Sequence, residues 1–464
     1  LTELMPGLLS AFSQTVNPDS AFMRFNEFLT NLPSGVQLFS MFHARPGLLD
    51  LLAEVMGSAP SLAKHLSRNA NLLDGVLTGQ FYQPLGTKRE LKASLNDSLS
   101  SQQDFQDILD AARSWAHDRE FQIGIQLLRG IISAERAGKA LSAVAESTVN
   151  ILLKYVEKEF QKVHGIIEAS QFVVLAMGKL GGKEMTFSSD LDVIFIYRSK
   201  MPRDTLSNGE RRLSLSHYFG RLSQRLVTSL NALTPAGKLY EVDARLRPAG
   251  SGSPLASDVE GFSNYQVNAA WTWEHMALTR ARVIAGNAKL ANDVKKIILS
   301  VLVKARNSEK LRSDVINMRN RIENERGTQN PWMLKHVRGG MLDLEFIAQY
   351  FQLRYAAKHH KLITPDTALV FKRLGELNLL EKDLAKNLVE ATKLMKRLQA
   401  LLRLTVGVNR NEDNFSAGVR NKLTQAANKD SFNETKLLLI ETQHNVLTYY
   451  LNLIENTLPS DRLG

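Results

Sequence analysis

Apolar residues recur at helical spacing through most of the chain and at strand spacing only near its middle. Over residues 1–80 the pattern predicts short helices. Pro46 sits where a first turn begins, Leu48, Leu49, Leu51, Leu52 and Val55 form one face, Gly57 follows as a stop, and Pro60 opens another helix. Such pieces bury their stripes only against one another or a neighbouring domain. The stretch TGQFYQPLGTKRE (78–90), rich in turn formers, reads as a linker. Two longer helical stripes follow between about 100 and 165, one through Phe105, Ile108, Leu109, Ala112 and Trp115, the other through Leu141, Val144, Val149, Leu152 and Val156.

Then the period changes. FVVLAM (172–177) and LDVIFIY (191–197) are short apolar runs rich in β-branched residues. KLYEVDARLR (238–247) alternates, with Leu239, Glu241, Asp243 and Arg245 on one side and Tyr240, Val242, Ala244 and Leu246 on the other. These predict three strands. Between the second and third, Leu213, Leu215, Phe219, Leu222, Leu226 and Leu230 predict a helix crossing over one face of the sheet. Everything after about 290 reads as helix, including 341–356, 381–404 and 433–455.

At 464 residues the chain exceeds one compact core, so two or three domains are expected. A hydrophobic fraction of 44% with 23% charged residues fits a soluble globular protein, and no apolar run is long enough to span a bilayer. The absence of Cys excludes disulfides and thiolate metal sites and fits a reducing compartment, so a cytoplasmic location is expected. No signal-peptide pattern is visible, and a start at Leu1 suggests a fragment of a longer protein. The net charge of +11 comes from basic residues mixed with acids, without any block of five or more like charges. That favours a well-solvated surface over a nucleic-acid footprint.

The candidate chemistry lies in GKLGGKEMTFSSDLDVIF (178–195). Residues two apart on a strand point the same way, so Asp190 and Asp192 project together while Leu191 and Val193 face the other side. Two such carboxylates repel unless a cation lies between them, and Mg²⁺, shared with substrate phosphates, is the simplest cation to do it. The glycines after the first strand let backbone N–H groups approach a phosphate, or simply make a tight turn. Ser188 and Ser189 add hydroxyl donors. The third strand supplies Asp243, with Arg245 on its face and Arg247 two residues further, where guanidinium groups could hold phosphate oxygens. Three acids, a glycine turn and arginines at one end of a sheet are what two-metal phosphoryl or nucleotidyl transfer requires.

These residues resemble the polymerase-β-type nucleotidyltransferase superfamily. GKLGGKEMTFSSDLDVIF, YEVDARLRPAGSGSPL, YQVNAAWTWEHMALTRARVIAG and LKHVRGGMLDLEFIAQYFQLR, spread over most of the chain, resemble more narrowly the bifunctional glutamine synthetase adenylyltransferase/adenylyl-removing family. The resemblance implies an α+β, predominantly helical protein. Its parts would be a helical N-terminal segment (1–90), a polymerase-β-like nucleotidyltransferase domain with a small mixed sheet (91–290), and a C-terminal helical bundle (291–464). It implies transfer of AMP from ATP to a tyrosine of glutamine synthetase, with glutamine and the PII signal protein as regulators. The AWTWEHMALTRAR wording resembles the AMP-attaching half of that family. Phosphorolytic removal of AMP, nucleotide addition to RNA, and a non-catalytic nucleic-acid-binding or scaffolding role are the alternatives.

Carried over by position, Asp190, Asp192 and Asp243 would bind Mg²⁺, and Gly181, Gly182, Ser189 and Lys179 would contact the triphosphate beside Arg245 and Arg247. Asp243 would help deprotonate the acceptor, since a tyrosine hydroxyl is a poor nucleophile with a pKa near ~10, or it serves only as a metal ligand. Trp271, Trp273, Glu274, His275, Arg280 and Arg282 are expected on one helix, with Trp273 and Arg280 on one face. Trp271 and Trp273 cannot both face inward. In KHVRGGMLDLEF (335–346), Lys335 and Arg338 could reach the nucleotide, whereas Asp343 and Glu345 diverge on a helix and read as acids favoured near its N-terminus. The histidines show no metal-ligand spacing.

Overall fold

The computed structural model describes residues 5–13, 18–30, 46–69, 72, 79–407 and 410–456. Residues 31–45 and Thr78 of the predicted linker lie outside them.

The chain opens with α1 (Met5–Ser13), α2 (Pro18–Thr30), α3 (Pro46–Ser58) and α4 (Pro60–Arg68). Prolines begin three of them, where a missing N–H costs nothing. Their apolar faces meet through Phe12, Phe25 and Phe28, with the rings of Phe12 and Phe25 5.4 Å apart. Helix α5 (Lys88–Ser100) starts at a capping box: the Thr87 hydroxyl accepts from the Glu90 amide while the Glu90 carboxylate accepts from the Thr87 amide. The segment before it is strapped down, because the Gln126 amide donates to the carbonyls of Phe81 (2.6 Å) and Gln83 (2.7 Å). Gln126 belongs to α6 (Phe105–Leu128), which packs against α7 (Ala134–His164), the long helix running to the sheet.

The sheet has five strands: β1 (Ser170–Ala176), β2 (Leu191–Ser199), β3 (Val242–Asp243), β4 (Ala256–Asp258) and β5 (Arg282–Gly286). A five-residue helical turn, α8 (Gly178–Gly182), links β1 to β2, which pair antiparallel with Ala176 opposite Val193. The predicted crossover is α9 (Leu215–Asn231), whose Phe219 stacks on Phe172 and Tyr197 of the sheet at 5.7 and 4.5 Å. After it the chain returns parallel to β2, first as β3 beside Leu191–Asp192 and then as β4 beside Phe195–Tyr197. β5 pairs antiparallel with β1 across a bulge at Val174/Leu175.

Two expectations are corrected here. The ten-residue strand over 238–247 is only two residues long, because the chain turns where the Asp243 carboxylate captures the Arg245 backbone N–H at 2.8 Å. β4 then takes up the pairing. The helix expected through Arg282 is α11 (Thr272–Leu278), which follows α10 (Val259–Asn268); Arg280 lies in the turn after it and Arg282 begins β5. Trp271 precedes the helix and is 70% exposed, so only Trp273 belongs to it.

The remainder is helical: α12 (Ala288–Leu302), α13 (Ser308–Arg326), α14 (Met341–Tyr355), α15 (Thr367–Glu376), α16 (Lys382–Thr405), α17 (Ala417–Ala427) and α18 (Phe432–Tyr450). α16 packs against α14, α15, α17 and α18 and also touches α7, which brings the C-terminal helices against the layer behind the sheet. Buried apolar residues form one contiguous cluster from Leu8 to Ile454. No helix among the described residues is long and apolar enough to cross a membrane.

Candidate active site

The parallel register places Asp192 of β2 directly opposite Asp243 of β3, so their Cα atoms are neighbours at the usual interstrand spacing of roughly 5 Å. Asp190, exposed, stands two residues earlier at the mouth of β2. Asp192 is half-buried. Burial, then the negative charges of Asp243 and Asp190, push its carboxyl above the usual range, against the opposing pull of Lys335 and Lys179. The Arg245 side chain holds Asp243 below the usual range through bonds from Nε to both carboxylate oxygens (3.0 and 2.9 Å) and a further bond from Nη2. The structure thus brings the three acids and Arg245 to one rim.

Glycine chemistry here differs from expectation. The Gly181 amide already donates to the Met177 carbonyl at 2.8 Å. A Cβ on Gly181 would lie 2.0 Å from the Arg280 carbonyl oxygen, and one on Gly182 would lie 2.6 Å from Arg280 Nη2. Close packing of the turn against the chain entering β5 therefore requires both glycines. Gly178, which sequence reasoning passed over, touches the chemistry more directly. At φ +51° a Cβ there would lie 2.1 Å from Asp192 Oδ2, so the carboxylate lies in space that only glycine leaves open. Nothing in the spacing of GKLGG separates that glycine from the other two.

Ser189 closes a turn, accepting from the Thr186 amide at 3.0 Å, with Ser188 between them at φ +56°. Lys179 Nζ donates to Thr186 Oγ1 at 3.2 Å, pinning the lysine to that turn. Burial, then the positive charges of Arg403, Lys335 and Arg280, depress Lys179 to about 8. Lys179, Lys335 and Arg403 make no ion pair among the described residues, and Arg403 Nε is buried without a hydrogen-bond partner. Arg403 comes from α16, more than two hundred residues downstream, and no sequence signal pointed to it.

Three predicted residues take other roles. Arg280 is buried behind the glycine turn between Glu184 and Glu345 (2.9 Å to Glu345), a brace for the turn rather than a partner of Trp273. Arg247 donates to the carbonyls of Ala244 (2.8 Å) and Ser253 (3.2 Å) and shapes its own loop. Arg338 lies over the ring of Tyr450 at 5.1 Å and pairs with Glu455 at 3.5 Å, turned toward α18. Lys335, in contrast, faces Asp192 closely enough to stabilise its charge.

Among the described residues no three His, Cys, Asp or Glu side chains are grouped to hold a metal ion as they stand, and Asp243 is turned onto Arg245. The donor set nonetheless fits magnesium. Its oxygens are hard carboxylates, two of them are paired in register, and their repulsion is what a cation relieves.

A small mixed sheet with a helical turn after its first strand and acids on the next two defines a polymerase-β-like nucleotidyltransferase fold. Residues 49–297 match the family model of glutamate-ammonia ligase adenylyltransferase, and the chain belongs to that family. Residues 312–437 match a second model, GlnD PII-uridylyltransferase. Curated relatives carry the description bifunctional glutamine synthetase adenylyltransferase/adenylyl-removing enzyme. That of Xanthobacter autotrophicus is 38% identical over 98% of this chain and 46% of its own length. That of Brucella melitensis is 40% identical over 95% and 45%, and that of Mesorhizobium japonicum 42% identical over 75% and 35%. The chain thus spans about half the length of these relatives or less.

Proposed function

We propose that this chain transfers AMP from ATP to a tyrosine of glutamine synthetase, using Mg²⁺. The observation that carries the reading is an unbalanced site. Lys179, with Arg403 near it, and Lys335 make no ion pair among the described residues, and the two lysines stand close to acids whose mutual repulsion raises Asp192. A triphosphate supplies the missing anion and a divalent cation the missing positive charge.

In this mechanism Asp190, Asp192 and Asp243 would hold the metal, which when bound would neutralise charge on the attacking and leaving oxygens. Lys179, Lys335 and Arg403 grip the phosphates, with Ser189 holding the adjoining turn in shape. Arg245, whose side chain is 77% exposed, turns from Asp243 to the phosphates, which frees Asp243 to take part. The acceptor's phenolic oxygen bonds to the α-phosphorus as the bond to the β-phosphate bridging oxygen breaks. Pyrophosphate leaves, and the phenolic proton passes to Asp243.

Similarity to a PII-uridylyltransferase model over 312–437 supports the PII signal protein as a regulator, and the family resemblance adds glutamine as a second. The cytoplasm is the proposed location, and 1–90, 91–290 and 291–464 the proposed division of labour. Incubation with labelled ATP, Mg²⁺ and unmodified glutamine synthetase should label the acceptor protein. Release of ADP from adenylylated acceptor in the presence of phosphate, without forward labelling, would instead identify the adenylyl-removing activity.

A further inference from the structure

A cavity of about 950 Å³ lies between α4, α6 and the 233–241 loop, and one end reaches Asp190. Its wall includes Leu62, Phe121, Phe187 and Tyr240, all at least nine-tenths buried, and its rim carries Leu233, which is 81% exposed. Lys64 and Lys238 line it, whereas Lys179, Lys335 and Arg403 do not. Lys179 opens instead on a separate hollow with Glu345 and Lys396.

Two needs of the proposed reaction are thereby separated in space. The polyphosphate requires positive charge and finds it beside Lys179. The acceptor requires an aromatic slot ending at a carboxylate, since a phenol buries a flat ring and leaves only its hydroxyl to be satisfied. The volume is at the upper end of what ligand pockets enclose, more than a single side chain fills, so residues flanking an acceptor tyrosine have room as well.

We infer that this cavity is the acceptor site. It receives a tyrosine-bearing segment of the protein substrate, with the aromatic ring against Phe121, Phe187 and Tyr240 and its hydroxyl directed past Asp190 to the acid rim, where Asp243 takes its proton. The assignment rests on the adenylyl-transfer reading, and it adds where the second substrate enters. It also gives the N-terminal helices a task, because Leu62 of α4 supplies part of the wall.

The test uses two substitutions away from the acids, Leu233→Asp at the rim and Ser114→Trp within the cavity. Transfer to glutamine synthetase is measured at saturating ATP over a range of acceptor concentrations, and the affinity for a fluorescent ATP analogue is measured without acceptor. The expected result is a rise in acceptor KM of about tenfold or more, with nucleotide affinity unchanged. An unmoved acceptor KM in both variants overturns the assignment. So does a parallel loss of nucleotide affinity, which would give the cavity to the nucleotide. Leu233 is exposed, so that variant decides the matter even where Ser114→Trp does not fold. If the wild-type chain labels no acceptor, the transfer reading itself fails and takes the cavity assignment with it.

Discussion

Asp190–Leu191–Asp192 and Asp343–Leu344–Glu345 share the same spacing of acids around a buried leucine, yet their surroundings are opposite. On β2 the two acids fall on one side, beside Asp243, and share too little positive charge. On α14 they diverge, and each finds its own arginine: Asp343 pairs with Arg319, both fully buried, and also accepts from the Gly339 amide. Glu345 pairs with Arg280, and that arginine together with Lys335 and Lys179 holds Glu345 below the usual range despite its burial. The same three-residue pattern thus gives an unmatched acidic cluster at a strand and an internal brace on a helix. What separates them is backbone period and whether each charge is matched.

Substitutions should divide along that line. Asp192→Asn should lower kcat by about 10³-fold, since carboxylates that organise phosphoryl transfer act in the transition state. A loss under tenfold in single-turnover assays would remove Asp192 from the chemistry. Asp343→Ala should strand a buried arginine and lower stability by about 3 kcal/mol in urea titrations, while the folded fraction keeps its turnover. An unchanged urea midpoint would mean that Glu323, 2.8 Å from Arg319, suffices alone.

Gly178→Ala should displace the Asp192 carboxylate and reduce kcat by about 10²-fold, the scale of an ångström of misplacement. Its circular dichroism should match the wild type. Arg403→Ala should raise KM for ATP by about tenfold with little change in kcat, the signature of lost uniform binding. A variant with normal ATP binding would return the basic cluster to a purely structural role.

The mildest effect concerns Glu120, which lines the cavity and accepts from the Tyr240 hydroxyl at 3.0 Å. Burial raises its pKa to about 7. The folded state then holds a proton that the unfolded state releases, so stability should fall as pH rises from about 4.5 to 7 and level off above. Glu120→Gln should flatten that slope in denaturation series at stepped pH. An identical slope would show that groups other than Glu120 control it.

How much of this was legible in advance depended on whether the signal was local. β1 and β2 announced themselves as apolar runs, and the period of two placed Asp190 and Asp192 together before any coordinates. Residues 238–247 misled because alternation continues in the sequence after the backbone has left the sheet at the Asp243 turn. β5 is five residues long and begins four residues after α11, with Arg280 in the turn between them, so its Val283 and Ile284 are easily read as a continuation of the helix. Gly178 was visible as a residue, but its role requires a positive φ and the position of a carboxylate fourteen residues on. Arg403 depended on a long-range packing of α16 that no window of sequence contains.

Glu184 sits where that packing is enforced. It receives Arg280 from the turn before β5 and Lys396 from α16, so one carboxylate links the glycine turn to the C-terminal bundle. Sliding α16 by a turn would leave an enclosed acid short of a counter-ion, a change on the order of several kcal/mol. A pull on the C-terminal helices would thus reach the glycine turn through Glu184 as well as through the Arg280–Glu345 pair.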